Sequence, residues 1–390
     1  MYRTTVRYNN NIKENIKEIN VSSFEEIPDF DKISEICCKC IDSKFLPKLP
    51  ESLKKLDCSF NNLISLPRLP NTLQELNCMY NLIRIFPQLP YSLVSLHIDN
   101  NDCNELSSII LPINLEYLSC SNNGLTTLPK LPKSLKTLYC DNNKLTELSN
   151  LPFGLTSLNF SGNQIMKFQD LPNSIEFLDC NNCNLIKLPN LPDSLLELNC
   201  YFNELTSLPE LPKGLKILYC ESNLLTSLPE LPNGLEELIC QSNILTTLPK
   251  LPKSLDRLIC DDNKITSLPE LPHNIRELRC MKNQLKSLPE LPKKLSTCFV
   301  DDNMCFYDQK DDEENNTTVK NKNVLKNIIY NKQIDLTKCY ICKEMFVNLY
   351  KYRKETREFK YLDPYAEGFL SYKLKLVIEN KTCGLCLSQK

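Results

Sequence analysis

Histidine and glycine are both scarce in this 390-residue chain, which has two of the first and seven of the second. The two histidines, His97 and His273, are far apart in the sequence, so a catalytic or metal site built on paired imidazoles is excluded. So few glycines leave no phosphate-cradling loop and no dinucleotide fingerprint, both of which need glycine where backbone meets phosphate. No apolar run is long enough to cross a membrane as a helix, and the polar Asn-, Lys- and Ile-rich start (Met1 to Glu18) has no signal-peptide pattern. Net charge is also lacking: the formal balance of −2 argues against a partner held by the protein's overall field. These absences remove nucleotide enzymes and membrane spans, and they point to an intracellular, cytoplasmic protein.

Cysteine, by contrast, is abundant, with 21 residues, and about half of it is periodic. Cys58, Cys78, Cys120, Cys140, Cys180, Cys200, Cys220, Cys240, Cys260 and Cys280 share one register of about twenty residues. Ile98, Phe160 and Val300 fill the same slot elsewhere. Apolar side chains replace a buried residue, not a metal ligand or redox thiol, and free cysteine behaves as a small hydrophobe. The column is therefore read as core. Thiols stacked in one column point the same way rather than at each other, which speaks against a disulfide framework and for a reducing compartment.

Aligned on the cysteine, the unit is L-x-x-L-x-C-x-x-N-x-L-x-x-L-P-x-L-P, as in Leu115 to Pro132. The alternation Leu118-Ser119-Cys120 makes a short strand, with Leu118 and Cys120 inward and Tyr117, Ser119 and Ser121 outward. An Asn column three residues on, from Asn61 to Asn303, supplies amides to backbone groups that lose their ladder partners, with Cys183 in that place once. Two prolines per coil exclude a convex helix and favour extended or polyproline-II backbone. Between Ile98 and Cys120 the spacing grows by two residues, which predicts a local bulge near Ser107 to Pro112.

These residues carry a resemblance to the leucine-rich repeat family, whose signature is L-x-x-L-x-L-x-x-N/C-x-L. The match recurs about thirteen times between Leu53 and Cys305. It implies a repeat solenoid, curved, with a parallel β-sheet on the concave face. The L-P-x-L-P coils are most similar to the short repeats of bacterial effectors, and similar arrays occur in large DNA viruses and amoebae; a viral origin would place the protein in the host cytoplasm. Some effector relatives carry a ubiquitin-ligase domain with a Cys-x-Asp motif. Cys260-Asp-Asp262 and Cys40-Ile-Asp42 match those letters. One is in the core column and the other in a degenerate cap, and the tail is too short for such a domain. Carboxylates elsewhere follow solvent-facing repeat positions, so no enzyme is expected.

The expected organisation is an N-terminal segment with degenerate capping repeats over 1–52, the array over 53–305, a charged linker over 306–323 and a small module over 324–390. Ile33-x-x-Ile36-x-Cys38 reads as a first coil with Ile41 in the Asn place, and Ile16-x-x-Ile19-x-Val21 as a shorter one before it. Cys37 and Cys40 beside Cys38 read as part of a Cys-rich capping turn. The tail, expected to be α+β or zinc-knuckle-like, holds two C-x-x-C pairs, Cys339/Cys342 and Cys383/Cys386. Each pair sets two thiolates on one turn, and together they make four ligands for one structural zinc. Lys351, Arg353, Lys354, Arg357 and Lys360 alternate there with Tyr350, Tyr352, Phe359 and Tyr361; this reads as the surface and core of a small domain, with nucleic acid the alternative.

The residue before each core position faces outward from the sheet. In the later coils these residues turn apolar, and Tyr219, Ile239 and Ile259, flanked by Ile217, Tyr201 and Phe177, form the expected patch for a protein partner. A monomeric interaction scaffold is the reading; the alternative is a zinc-containing adaptor whose basic tail does the recognition.

Overall fold

The computed structural model describes residues 5–8, 13–15, 24, 29–104, 106, 109–168, 170–300 and 303. The chain divides into two units, Met1–Asp308 and Gln309–Lys390, and every described residue lies in the first. Strand formation follows from the period-two pattern flanking each core position. From Lys55–Asp57 to Thr297–Phe299, each coil contributes one three-residue strand, all parallel and in register, so that Leu198, Leu218, Leu238 and Leu258 line up across the sheet. The result is a parallel solenoid in which each coil packs on its neighbours, without α-helix among the described residues.

One coil shows how the core is filled. Leu215, Leu218, Cys220 and Leu225 are fully buried, and Leu228 and Leu231 nearly so. The cysteine column is buried throughout, and its members from Cys58 to Cys260 are free thiols. Several of these thiols also donate weakly to the next strand, as Cys180 Sγ does to the Asn199 carbonyl at 3.4 Å.

The Asn column stitches successive coils together. Asn143 Nδ2 donates to the carbonyls of Cys120 and Cys140 at 3.1 and 2.9 Å, while its Oδ1 accepts from Asn123 N and Leu125 N at 3.0 Å each. At Cys183 a thiol does part of this work, donating to Phe160 O and Asn181 O at 3.3 Å each. A second ladder runs through the turn before each strand, where Ser134, Ser174, Ser194 and Ser254 donate to a leucine or isoleucine carbonyl of the preceding coil. Just before the Asn-column position, in the coils from Asn61 to Asn283, stands a residue at φ between +50 and +64°, including Asn100, Asn122, Asn142 and Asn182 but also Phe60, Tyr80 and Phe202. Asparagine tolerates this left-handed turn, whereas a bulky ring is strained in it.

The convex side is extended, as two prolines per coil dictate. Ser149 and Gln169 stand where most coils have the first proline. There Glu147–Leu148 pairs in parallel with Lys167–Phe168, a small second sheet. Proline has no N–H to offer such a ladder, which explains why it forms in these coils. In the 22-residue coil the Leu106 carbonyl accepts from Ile109 N at 3.0 Å. Strand register is unaffected, Leu96 facing Leu118, and Ile110 and Ile113 are left exposed.

At the N-terminal end the parallel array is flanked by an antiparallel pair. The strand β3 (Ile33–Cys37) starts the parallel array, with Cys38 buried and Ile41 N bonded to Asn61 Oδ1 at 2.9 Å. On its open edge lies β1 (Thr5–Tyr8), antiparallel, which pairs in turn with β2 (Lys13–Asn15). A bare edge is a template for wrong pairing, and the hairpin covers it with Val6 buried. Residues 16–21, expected as an earlier coil, lie outside the described residues.

Candidate functional site

The outer face of the large sheet is built from the residues three and one before each core position, with the residue just after it alongside. Two regions of this face differ in chemistry.

At the N-terminal end a hollow of about 520 Å³ is lined by Val6, Arg7, Glu35, Cys37, Lys55, Asp57, Glu75, Asn77 and His97, among others. Its charges are satisfied internally: Arg7 pairs with Glu35 at 2.9 Å, Lys39 with Asp57 at 2.8 Å and Lys55 with Glu75 at 2.6 Å. His97 stacks on Tyr117, centroids 4.5 Å apart, and Tyr117 meets Tyr139 edge-on. Burial lowers the His97 pKa below its ordinary 6.5, against the pull of Asp99, Asp57 and Glu75, which keeps the ring neutral near pH 7.

Further along lie the sequence-predicted patch residues. Phe177, Tyr201, Ile217, Tyr219 and Ile239 are half-buried on the outer face. Tyr219 faces Ile239 across the strand pair, and Phe177 and Ile217 flank Glu197 in the neighbouring column. Ile259 does not join them as an exposed contact. It is only 4% exposed, set between the long side chains of Arg257 and Arg279, which bridge to Glu277 and Asp261 at 2.9 Å each. It serves packing, and the patch ends at Ile239.

The patch expected from the sequence counts only apolar side chains and leaves out the acids interleaved with them. Glu197, Glu221 and Glu237 occupy the adjacent columns, and the Tyr219 hydroxyl donates to Glu237 Oε2 at 2.9 Å. Burial pushes the Glu197 carboxyl up, and Asp179 and Glu237 push it further; burial likewise raises Glu221. Weighing charge as well as apolar character at the positions three before and one after each cysteine finds them.

The core thiols offer no chemistry. Burial drives the pKa of Cys58, Cys120, Cys200, Cys220, Cys240 and Cys260 well above the ordinary 9.0, so they stay protonated and unreactive. Cys37, Cys38 and Cys40 diverge: Cys37 lines the hollow, Cys38 is buried in the core and Cys40 is exposed. Among the described residues no three His, Cys, Asp or Glu side chains are grouped to hold a metal. The four tail cysteines Cys339, Cys342, Cys383 and Cys386, and the basic, aromatic stretch 350–361, lie outside the described residues. No described helix is long and apolar enough to cross a membrane.

Comparison with known proteins agrees with this architecture. The family described as leucine-rich repeats in two copies matches residues 113–152. YopM from Yersinia enterocolitica is 37% identical with a TM-score of 0.61, over 69% of this chain and 64% of that one, so this chain spans slightly less than two thirds of that relative. YopM from Yersinia pestis, described as a leucine-rich effector protein, is 34% identical with a TM-score of 0.62, over 68% of this chain and 82% of that one. A leucine-rich repeat protein of Leptospira interrogans is 25% identical with a TM-score of 0.53, over 67% and 76%. No curated protein sequence matches. With its repeat, its Asn ladder and its parallel sheet, this chain belongs to the leucine-rich repeat family and resembles the bacterial effectors of that family.

Proposed function

We propose that this protein is a non-enzymatic, intracellular scaffold that binds a protein partner on the outer face of its parallel sheet. The observation that carries this reading is the cluster of Phe177, Ile217, Tyr219 and Ile239, large apolar side chains left half-exposed on strands whose opposite faces are buried. Tyrosine and large aliphatic side chains on a rigid surface are the usual anchors of protein interfaces. The sheet also holds them without a loop to reorder on binding, which lowers the entropic cost.

The test is the double variant Tyr219→Ala/Ile239→Ser in the full chain. Both residues face outward, so the urea midpoint is expected to hold while partner capture falls. Capture by this variant equal to that of the parent protein refutes the reading. The tail cysteines Cys339, Cys342, Cys383 and Cys386 are proposed as the ligands of one structural zinc; metal analysis of the purified full chain, expected to find about one zinc per chain, checks this.

A further inference from the structure

The outer face carries a strip with one sign of charge. From Ser95 to Gln241, the positions three before, one before and one after each core residue include Asp99, Asp141, Asp179, Glu197, Glu221 and Glu237, and no lysine or arginine. The chain as a whole has 46 basic and 48 acidic residues, so composition does not explain a strip without cations.

The acids are not equally satisfied. Asp99 and Asp141 accept from the Ser119 and Ser121 hydroxyls. Near Tyr219 the acceptors outnumber the donors: Glu221 Oε2 and Asn199 Oδ1 are both buried with no hydrogen-bond partner. Asn199 faces Tyr219 across the strand pair, and Glu221 follows two residues after Tyr219. Buried acceptors without donors are costly, and an N–H group brought by a partner would satisfy them.

The next coils show what satisfies such acids on this face. Arg257 reaches Glu277 at 2.9 Å and Glu237 at 3.7 Å, and Arg279 reaches Asp261 at 2.9 Å. There the chain supplies its own guanidinium groups, each spanning neighbouring strands. Among the described residues no guanidinium is bonded to Asp179, Glu197 or Glu221: Asp179 accepts from Asn181 Nδ2 and Asn199 Nδ2 at 2.6 and 3.2 Å, and Arg257 draws on Glu221 only electrostatically, while Ile217, Phe177 and Tyr219 offer apolar surface for the stem of a long cation.

We propose that the outer sheet face between strands Ser95–His97 and Glu237–Ile239 docks an extended, lysine- and arginine-bearing segment of a partner protein. The proposal rests on the sheet-face reading above and adds the partner's chemistry. Seven inter-strand steps of about 4.8 Å give a strip of about 34 Å, which about ten extended residues span.

The test uses a labelled peptide of about ten residues built from Lys-Ala-Tyr repeats, its counterpart with Glu in place of Lys, and the full chain, read by fluorescence anisotropy. The Lys peptide is expected to bind and to weaken as salt rises, and the Glu peptide not to bind. Glu197→Gln/Glu221→Gln is expected to weaken the Lys peptide about tenfold or more. Glu116→Gln/Glu236→Gln removes the same charge from flanking acids already paired with Lys136 and Lys216, and is expected to bind as the parent does. Equal binding of the two peptides, or equal loss in the two double variants, overturns the proposal. If Tyr219→Ala/Ile239→Ser abolishes partner capture while Glu197→Gln/Glu221→Gln leaves it unchanged, the docking face stands and the cationic partner falls. If neither variant affects capture, both fall.

Discussion

Raising the pH from 8 to 10 under reducing conditions is expected to unfold the repeat array. The thiols of Cys58, Cys78, Cys120, Cys140, Cys180, Cys200, Cys220, Cys240 and Cys260 are fully buried, and burial holds each far above its ordinary pKa of 9.0. In the unfolded chain they ionise near 9; in the folded array they keep their protons. Above pH 9 the folded state therefore binds more protons, and stability falls as pH rises. Their contribution is fully present below pH 9. Each thiol loses about 0.4 kcal/mol at pH 9 and about 1.4 kcal/mol at pH 10, from the ionisation of the unfolded state alone. Over these nine thiols the loss is about 4 kcal/mol at pH 9 and about 13 kcal/mol at pH 10, against a typical domain stability of about 5–15 kcal/mol. Urea titrations followed by circular dichroism, at intervals from pH 7 to 10, measure the slope. The control is Cys200→Val/Cys220→Val/Cys240→Val, since Ile98, Phe160 and Val300 already fill this slot with hydrocarbon. The variant is expected to lose about one third of the slope, from the stated equivalence of the nine sites. A stability flat between pH 8 and 10, or a slope unchanged in the variant, refutes the reasoning.

Three further outcomes follow from particular contacts. Cys183→Asn restores the amide that other coils use, with both a donor and an acceptor oxygen, and is expected to raise stability by about 1 kcal/mol in urea unfolding; a loss of stability contradicts the account of the ladder. Phe202→Asn places in a left-handed turn, φ 50°, the residue that Asn122 and Asn142 supply in the same place, and the exposed ring gives up an edge-on contact with Tyr201 at 5.4 Å. A gain of about 1 kcal/mol is expected, and a lower urea midpoint counts against backbone strain there. For His97, burial lowers the folded pKa below 6.5, so its contribution is present above pH 6.5 and is lost as pH falls through the folded value. Titrating the ring by NMR is expected to show a midpoint below 6.5, and a midpoint above it removes the argument.

The twenty-residue period, the inward columns and the extended convex side were legible in the chain because they rest on local rules: alternation sets strand faces, and proline removes helix donors. Isoleucine, phenylalanine and valine in the cysteine slot told core from chemistry before any coordinates. The Asn column was likewise readable as a polar ladder, though not the inter-coil bonds that Asn143 makes to Cys120 O and Leu125 N. What tertiary structure alone decided depends on groups brought together from separate coils. Ile259 reads as an outward residue, yet it is buried beside Arg257 of its own strand and Arg279 of the next, both held in ion pairs across strands. The antiparallel β1 cap pairs Thr5 with Cys37, a contact no repeat pattern announces. The acidic strip likewise joins Asp179, Glu197 and Glu221, residues in separate coils that a parallel register sets about 5 Å apart per step. Periodicity makes each coil's own inside and outside readable, but charge and burial on a shared face are properties of several coils at once, and only their stacking sets them.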